Sequence, residues 1–302
     1  MKTFIGITGT TSVGKSKVAV ELAKLLKSEV ISADSMQIYK GMDIGTAKIT
    51  LQEMDGIKHH MIDIVEPCVN YSSYLYQQEA SKIIDRITSI PIVAGGTGFY
   101  FDSLLYPPEF GHYDENRRQE LKQYANTYGI EALGVLLKNL DAETYNNIDL
   151  NNEKRVIRAI EIAESGKKKS QGNGKSNPKY NCKLFVLQRN RSDLYAQIDT
   201  RVNNMIACGL VEEVKALINK YGKAETTAFS AIGYKELIEF LQNRISLQEA
   251  VEKIKLNTRH YAKRQITYFK KMNVTQFIDV DNKTPQDIAE YIYDYFVTAA
   301  DN

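Results

Sequence analysis

The sequence predicts an α/β fold in which a doubly wound parallel sheet carries a helical insertion. A glycine-rich phosphate-binding motif lies close to the N-terminus, and short apolar segments typical of buried strands recur along the chain. Segments with apolar residues at helical spacing lie between these strands. Chains that alternate strands and helices in this way form parallel sheets that bind ligands at the carboxyl ends of the strands. We therefore expect functional residues directly after the strands.

The first predicted strand leads into a phosphate-binding loop. Residues 3–8 are apolar and β-prone, and residues 18–26 repeat apolar residues at helical spacing. Between them lies a complete G-x4-G-K-S motif, made of Gly9, Thr10, Thr11, Ser12, Val13, Gly14, Lys15 and Ser16. The loop amides and the helix N-terminus form an anion site, Lys15 adds a positive charge, and the Ser16 hydroxyl can ligate Mg²⁺. The order of strand, loop and helix makes the predicted fold P-loop NTPase-like and the predicted ligand a diphosphate or polyphosphate.

Further short apolar segments are predicted to be buried parallel strands, because each is followed by a polar or glycine-rich turn. They are residues 30–33, 91–94, 183–187 and 275–280. Two long gaps between strands, about 109–179 and 194–272, are helical in pattern, so at least one must protrude from the sheet. We assign residues 1–108 and 180–302 to a discontinuous core domain and 109–179 to the helical insertion. Residues 166–178, which are polar, basic and glycine-rich, are predicted to be a mobile loop.

Composition limits the class of protein and its partners. The chain has 302 residues, of which 43% are hydrophobic and 25% charged, as in ordinary soluble globular proteins. The net charge of +2 combines 39 basic and 37 acidic residues, so any nucleic-acid surface must be a local patch. No apolar run approaches the length of a membrane span, and the first strand leaves no room for a signal peptide. The three scattered cysteines and the His59–His60 pair lack metal-ligand spacing. We expect a cytoplasmic protein without a membrane partner, with a monomer as the default.

Two polar residues are placed where a parallel sheet would present them to a bound phosphate. Asp34 follows the second predicted strand, and its carboxylate could bind magnesium through water or accept a proton from a nucleophile. A helix N-cap is the alternative role for this residue. Thr97 lies among Gly95, Gly96 and Gly98 after the third predicted strand, where the backbone can approach a ligand closely. A tight turn capped by Thr97 is the alternative there.

Several segments, taken in order along the chain, resemble the tRNA dimethylallyltransferase family. They read GTTSVGKS (9–16), ISADSMQIYKGMDIGTAK (31–48), HHMIDI (59–64), GGTGFY (95–100), GYKE (233–236) and YAKRQ (261–265). The resemblance extends from residue 5 to about residue 269. It implies that the phosphate loop holds the diphosphate of dimethylallyl diphosphate. It also implies transfer of the C5 group to N6 of adenosine 37, beside the anticodon, in tRNAs that read codons beginning with U.

The residues suit the chemistry that the resemblance implies. Diphosphate leaving an allylic carbon gains negative charge, which loop amides, Lys15 and a magnesium ion near Ser16 would stabilise. The resemblance makes Asp34 the acceptor of the proton that the adenine N6 releases. It places Thr97 near the leaving oxygen and the entering base. Residues expected against the flipped adenosine are Asp34, Ser35, Met36, Gln37 and Thr97.

The resemblance also implies contacts with the anticodon stem–loop from the helical insertion. These fall on Arg118 and on the run Lys154, Arg155, Val156, Ile157 and Arg158. Lys154 stands where the family usually has glutamine, which allows a phosphate contact at this position but argues against an amide contact to a base or ribose. Without the resemblance, Arg155 and Arg158 would be read as a solvated helix face. A second basic helix carries Arg259, Lys263 and Arg264 with interleaved aromatic residues that are either an RNA surface or part of the core.

Two other functions share some of these features. A P-loop small-molecule kinase that uses ATP would have the same loop, and Arg191 and Arg201 resemble the arginines that close over phosphate in such kinases. A nucleotide-dependent RNA-binding protein without catalysis is the other alternative. The long match over residues 34–48 and the basic helices favour the transferase over the kinase. The placement of Asp34 and Thr97 favours an enzyme over a binding protein.

Overall fold

A parallel six-stranded sheet forms the centre of the protein. In the computed structural model, which describes residues 1–106, 114–166, 177–222 and 226–298, the strand order is β3-β2-β4-β1-β5-β6 and every neighbouring pair is parallel. The strands are β1 (Thr3–Gly9), β2 (Val30–Ser32), β3 (His59–His60), β4 (Ile92–Ala94), β5 (Asn181–Gln188) and β6 (Gln276–Asp279). The central strand β1 is buried along most of its length because helices cover both faces of the sheet. The predicted P-loop-like α/β fold is confirmed.

Helices connect and cover the strands. They are α1 (Lys15–Leu26), α2 (Leu51–Met54), α3 (Ser73–Arg86), α4 (Gly98–Leu105), α5 (Glu115–Tyr128), α6 (Ile130–Leu140), α7 (Ala142–Asn147), α8 (Glu153–Glu164), α9 (Arg191–Ala207), α10 (Leu210–Tyr221), α11 (Tyr234–Leu241), α12 (Leu247–Phe269) and α13 (Pro285–Thr298). Local sequence fixes several helix starts. Ser72 accepts a hydrogen bond from the N–H of Leu75, and Ser246 and Glu249 form a reciprocal capping box.

Strand β3 is the element that the sequence pattern did not predict. His59 and His60 pair in parallel with Val30 and Ile31 at the edge of the sheet. A two-residue strand has too few positions to show a period of two, and only its pairing with β2 defines it. His60 Nε2 bonds to the Glu29 carboxylate, and burial lowers the pKa of His59. Within the described ranges, no group of three or more His, Cys, Asp or Glu could hold a metal ion.

The chain divides into two compact units, Met1–Leu105 with Lys179–Asn302, and Tyr106–Pro178. The first, here called the sheet unit, contains every strand. The second, here called the helical unit, contains α5 to α8 around its own apolar core. Residues buried in that core include Leu121, Leu133, Leu137 and Ile160. Most of the predicted mobile loop, residues 167–176, lies outside the described residues.

Over the described part of the chain, no helix is both long enough and apolar enough to cross a membrane. The three cysteines are free.

Candidate active site

The phosphate loop joins β1 to α1 through two glycines that no other residue could easily replace. Gly9 has φ of +143°, and a Cβ there would lie 2.2 Å from the backbone oxygen of Leu187. Gly14 is the N-cap of α1 and has the left-handed conformation, with φ of 89°. The first glycine is needed for close packing against β5 and the second for the backbone turn into the helix. The loop therefore leads directly into the N-terminus of α1, the place where the motif predicts an anion site.

Two cations face one carboxylate in the cleft beside this loop. Lys15, Arg201 and Asp34 all line it. Burial lowers the pKa of Lys15 to about 8, an effect that Asp34 opposes and Arg201 strengthens. Burial also lowers the pKa of Arg201, and Asp34 again opposes the shift. The cations are thus held close together with little solvent, an arrangement that a multiply charged anion would stabilise.

Asp34 and Thr97 meet where β2 and β4 end. The Asp34 carboxylate accepts a hydrogen bond from the N–H of Met36, at 2.9 Å, and so closes a turn. Thr97 Oγ1 accepts one from the N–H of Ser35, at 3.0 Å, and its own hydroxyl lies 3.3 Å from Ser35 Oγ. Gly95 permits this approach, since a Cβ there would lie 2.2 Å from the Ala33 backbone. The residues after Asp34 form a turn, so the alternative role of helix N-cap does not apply.

Helix α12 closes the cleft from the other side with Gln265 and Tyr261. Gln265 is buried; its amide oxygen accepts from the N–H of Thr11, at 3.0 Å, and its amide nitrogen donates to the carbonyl of Gly96, at 2.8 Å. It therefore links the phosphate loop to the loop that carries Thr97. Burial is the main cause of the raised pKa of Tyr261, and the nearby Asp34 carboxylate raises it further. Tyr261 thus remains a neutral phenol at physiological pH.

The loop of residues 42–48, here called the wall loop, forms another side of the cleft. Thr46 and Ala47 line the cleft, and the carbonyl of Thr46 lies 3.5 Å from Arg201 Nη2. The Glu213 carboxylate on α10 accepts hydrogen bonds from three successive loop amides and from Tyr234 Oη. The amides are those of Asp43 at 2.9 Å, Ile44 at 2.7 Å and Gly45 at 3.1 Å. These three amides form the kind of site that binds anions, and the Glu213 carboxylate is the anion bound there. It thereby holds the wall loop in place.

Comparisons with known proteins identify the family. The model for the family described as IPP transferase matches residues 37–272, and the model described as isopentenyl transferase matches residues 2–69. The chain is 46% identical over 306 residues to the tRNA dimethylallyltransferase of Caldanaerobacter subterraneus subsp. tengcongensis, with 96% of each chain covered. It is 44% identical over 282 residues to the tRNA dimethylallyltransferase of Clostridioides difficile, with 91% of each covered.

The chain belongs to the IPP transferase family.

Solved structures of the family agree in fold. The full-length tRNA isopentenylpyrophosphate transferase of Bacillus halodurans matches with a TM-score of 0.75 and 37% identity, covering 99% of this chain and 96% of that one. A eukaryotic dimethylallyltransferase acting on tRNA matches with a TM-score of 0.85 and 29% identity, covering 99% of this chain and 80% of that one. The cleft therefore lies in a fold shared with this family, which supports the transferase prediction over the P-loop kinase alternative.

In the helical unit, the structure shows that the two apolar residues of the predicted tRNA contact are buried. The side chains of Val156 and Ile157 are buried in the apolar core of this unit, with 0% and 1% of their surface exposed. They can therefore not present their side chains to RNA, and their contribution is to hold α8 in place. A tRNA contact at these two positions stays a prediction, and only their backbone atoms could make it.

The charged residues of the predicted tRNA contact differ in their exposure and in their ion pairs. Lys154 and Arg155 are exposed. Arg118 Nε and Nη2 bind the two carboxylate oxygens of Glu161, at 2.7 and 2.8 Å, and Arg158 Nη1 binds the same carboxylate at 3.0 Å. The Glu161 side chain is only 4% exposed, so Arg118 and Arg158 neutralise a buried charge. Lys154 and Arg155 remain the predicted phosphate contacts with the most accessible charge.

On α12, the basic and aromatic residues are only partly separated, because the Arg264 guanidinium lies over the Tyr261 ring at 5.8 Å. Lys263 and Arg264 are exposed, whereas Phe269 is buried. Arg259 is paired with Asp199. Arg191, which sequence analysis grouped with Arg201, stacks over the Tyr195 ring at 5.2 Å and is not among the residues that line the cleft. Of the two arginines, only Arg201 is positioned to contact a bound phosphate.

The cleft contains functional candidates that sequence reasoning did not single out. Gln265 and Tyr261 lie within the YAKRQ segment, but no local pattern predicts that Gln265 contacts the phosphate loop, 254 residues away in the chain. Their spacing of four residues places both on one face of α12, and this was the available signal.

Proposed function

We propose that this protein transfers the dimethylallyl group from dimethylallyl diphosphate to N6 of adenosine 37 in tRNA and releases diphosphate. The observation that carries the proposal is the shared cleft of the phosphate loop and Asp34, with Thr97 fixed beside Asp34 by hydrogen bonds to Ser35. The predicted anion site and the candidate proton acceptor therefore line one cleft. The names of its relatives, tRNA dimethylallyltransferases, support the same reaction.

The residues account for each part of the reaction. The allylic C–O bond breaks with its electron pair going to the diphosphate, which the loop amides, Lys15 and Arg201 stabilise. A new bond forms between the C5 carbon and N6 of the adenine, and the proton lost from N6 passes to the Asp34 carboxylate. Thr97, which is held against Ser35, orients the groups beside this carboxylate. Adenosine 37 must leave the stacked loop to reach Asp34.

A magnesium ion fits this site as a partner of the substrate rather than as a fixed part of the protein. Ser16 lines the cleft with an exposed side chain, and among the described residues no cluster of acidic, histidine or cysteine side chains could hold the ion alone. Mg²⁺ commonly binds through one or two protein oxygens while water and substrate phosphates complete its shell. The ion would neutralise charge on the departing diphosphate. We place its protein ligand at the Ser16 hydroxyl.

The tRNA partner is engaged through its anticodon stem–loop, in the cytoplasm. The tRNA-processing names of the relatives support this partner, and the sequence resemblance adds a preference for tRNAs that read codons beginning with U. Asp34, Ser35, Met36 and Gln37 would contact the extruded adenosine, and the exposed Lys154 and Arg155 of the helical unit would contact phosphates.

The proposal is tested with purified protein, unmodified tRNA and either labelled dimethylallyl diphosphate or γ-labelled ATP. We expect label in tRNA only from dimethylallyl diphosphate. Phosphate transfer from ATP without prenylation would overturn the proposal in favour of a kinase.

The same assay on Asp34→Asn tests the proton acceptor. Asparagine can still accept the hydrogen bond from Met36 but cannot take a proton, so we expect kcat to fall by at least about 100-fold. Binding of tRNA, measured by filter retention, should change little. Asp55→Asn, which alters an exposed carboxylate paired with Lys24, is the control. Equal losses of tRNA binding and of kcat in Asp34→Asn would refute the assignment.

A further inference from the structure

Phe99 is a large aromatic side chain that is exposed beside the candidate active site. Its exposed fraction is 68%, the highest of any phenylalanine or tyrosine in the described part of the chain. Isolated exposed apolar residues are common and need no explanation by themselves. The position of Phe99 is what sets it apart. It lies two residues after Thr97, so the two Cα atoms are at most about 7 Å apart.

The Phe99 ring packs against a second aromatic side chain that is itself held in place. The Phe99 and Tyr268 rings have centroids 5.1 Å apart and are tilted by 57°. Tyr268 is itself fixed, because its hydroxyl donates to the Asp102 carboxylate and its ring lies directly over Gly98. A Cβ on Gly98 would lie 2.3 Å from the Tyr268 ring, so only glycine permits this contact. The turn from Thr97 to Phe99 therefore packs against α12, which holds it in position.

The surroundings favour an anionic aromatic partner over an apolar one. Lys263 and Arg264 are exposed on the same helix as Tyr268, and the Arg264 guanidinium lies over the Tyr261 ring at 5.8 Å. An aromatic face flanked by basic side chains is the usual surface for unpaired nucleotides, since bases stack on the ring and phosphates meet the cations.

We infer that Phe99 is a stacking platform for an unpaired nucleobase of the tRNA anticodon loop, next to the adenosine that enters the cleft. This inference rests on the proposed function, because it takes tRNA as the partner. Extruding one base from a loop unstacks its neighbours, and a ring fixed near Thr97 would replace part of the lost stacking. Phe99 would then contribute to tRNA affinity without touching the diphosphate.

The test measures tRNA binding by Phe99→Ala, Phe99→Leu and Phe99→Tyr at several salt concentrations. For Phe99→Ala we expect the dissociation constant to rise roughly ten-fold. Phe99→Tyr should bind like the wild type, and Phe99→Leu should be intermediate because it keeps apolar area but no aromatic face. The salt dependence of binding should be unchanged in all three, since no ionic contact is removed. The dissociation constant for inorganic pyrophosphate should also stay the same.

Phe277→Ala is the matched control, because Phe277 is also exposed in the sheet unit but lies on the edge strand β6. The inference is overturned if Phe99→Ala binds tRNA as the wild type does, or if Phe277→Ala weakens binding equally. It is also overturned if leucine restores full affinity, which would indicate simple apolar contact. Prenylation by the wild-type protein is measured alongside, so that failure of the proposed function is seen separately as absence of transfer.

Discussion

At the scale of single residues, Lys15 shows how the cleft prepares for its ligand. Its amine donates to the backbone carbonyl of Thr10, at 2.7 Å. Burial, with Arg201 nearby, makes the charge on this amine unfavourable and lowers the pKa of Lys15 to about 8. A bound diphosphate would reverse the effect and raise the pKa, because an adjacent anion favours the charged amine. Ligand binding and protonation of Lys15 are therefore linked.

This linkage predicts a pH dependence of diphosphate binding. Below pH 8 Lys15 is already charged, whereas above pH 8 a proton must be taken up on binding, so its contribution to affinity falls as pH rises through 8. Isothermal titration with inorganic pyrophosphate between pH 7 and 9.5 measures this. The Lys15→Met variant supplies the baseline, since pyrophosphate itself gains charge over the same range. Parallel pH curves for the wild type and Lys15→Met would show that Lys15 does not titrate in this window.

At the scale of elements, the wall loop depends on helices that are distant in sequence. Glu213 on α10 uses both carboxylate oxygens: one accepts from the amides of Asp43 and Ile44, and the other accepts from Gly45 and Tyr234. The Tyr234 ring is fully buried against Gly45, where a Cβ would lie 2.6 Å from it. The GYKE segment thus has a positioning role, since it holds the loop that meets Arg201 and lines the cleft.

Replacing Glu213 with glutamine should loosen the cleft for diphosphate specifically. The amide group offers one acceptor oxygen where the carboxylate offers two, so at least two donors lose their partner. Hydrogen bonds to a charged acceptor contribute about 1.5–3 kcal/mol each, and we expect KM for dimethylallyl diphosphate to rise by about ten-fold. KM for tRNA should change much less. Tyr234→Phe, which removes one donor of the four, should give a smaller change in the same direction.

Glu212→Gln is the control for Glu213→Gln, because Glu212 is the exposed neighbour on the same helix. A purely structural role for Glu213 would lower the melting temperature and the active fraction while leaving both KM values unchanged. That outcome would contradict the positioning role.

The same elements show what sequence can and cannot reveal. The phosphate loop, Asp34 and Thr97 follow strands whose apolar pattern is local, so their shared edge of the sheet was predictable. Gln265 contacts Thr11 from the other end of the chain, and no local pattern records such a contact. Strand β3 exists only through its pairing with β2. The burial of Val156 agrees with the helical period of the apolar residues in α8, which form part of the core of the helical unit.

At the scale of the whole molecule, the candidate functions are divided between the two compact units. Every residue that lines the cleft belongs to the sheet unit. The residues predicted to contact the tRNA stem, Arg118 and 154–158, belong to the helical unit, which has a separate apolar core. Binding of diphosphate and the ionic part of tRNA binding should therefore be separable by mutation.

The salt dependence of tRNA binding provides the sharpest test of this division. Each phosphate contact that is lost should reduce the slope of log affinity against log salt by about one. We expect Lys154→Ala and Arg155→Ala to reduce the slope in this way, additively in the double variant, and to leave pyrophosphate binding unchanged. Lys82→Ala, which removes one exposed charge from α3 in the sheet unit, should leave the slope as it is.

Arg118→Ala should also lower the melting temperature, because it leaves the buried Glu161 carboxylate with Arg158 alone. Slopes that fall equally for Lys82→Ala and Arg155→Ala would show that net charge, and not a contact from the helical unit, governs the ionic part of binding.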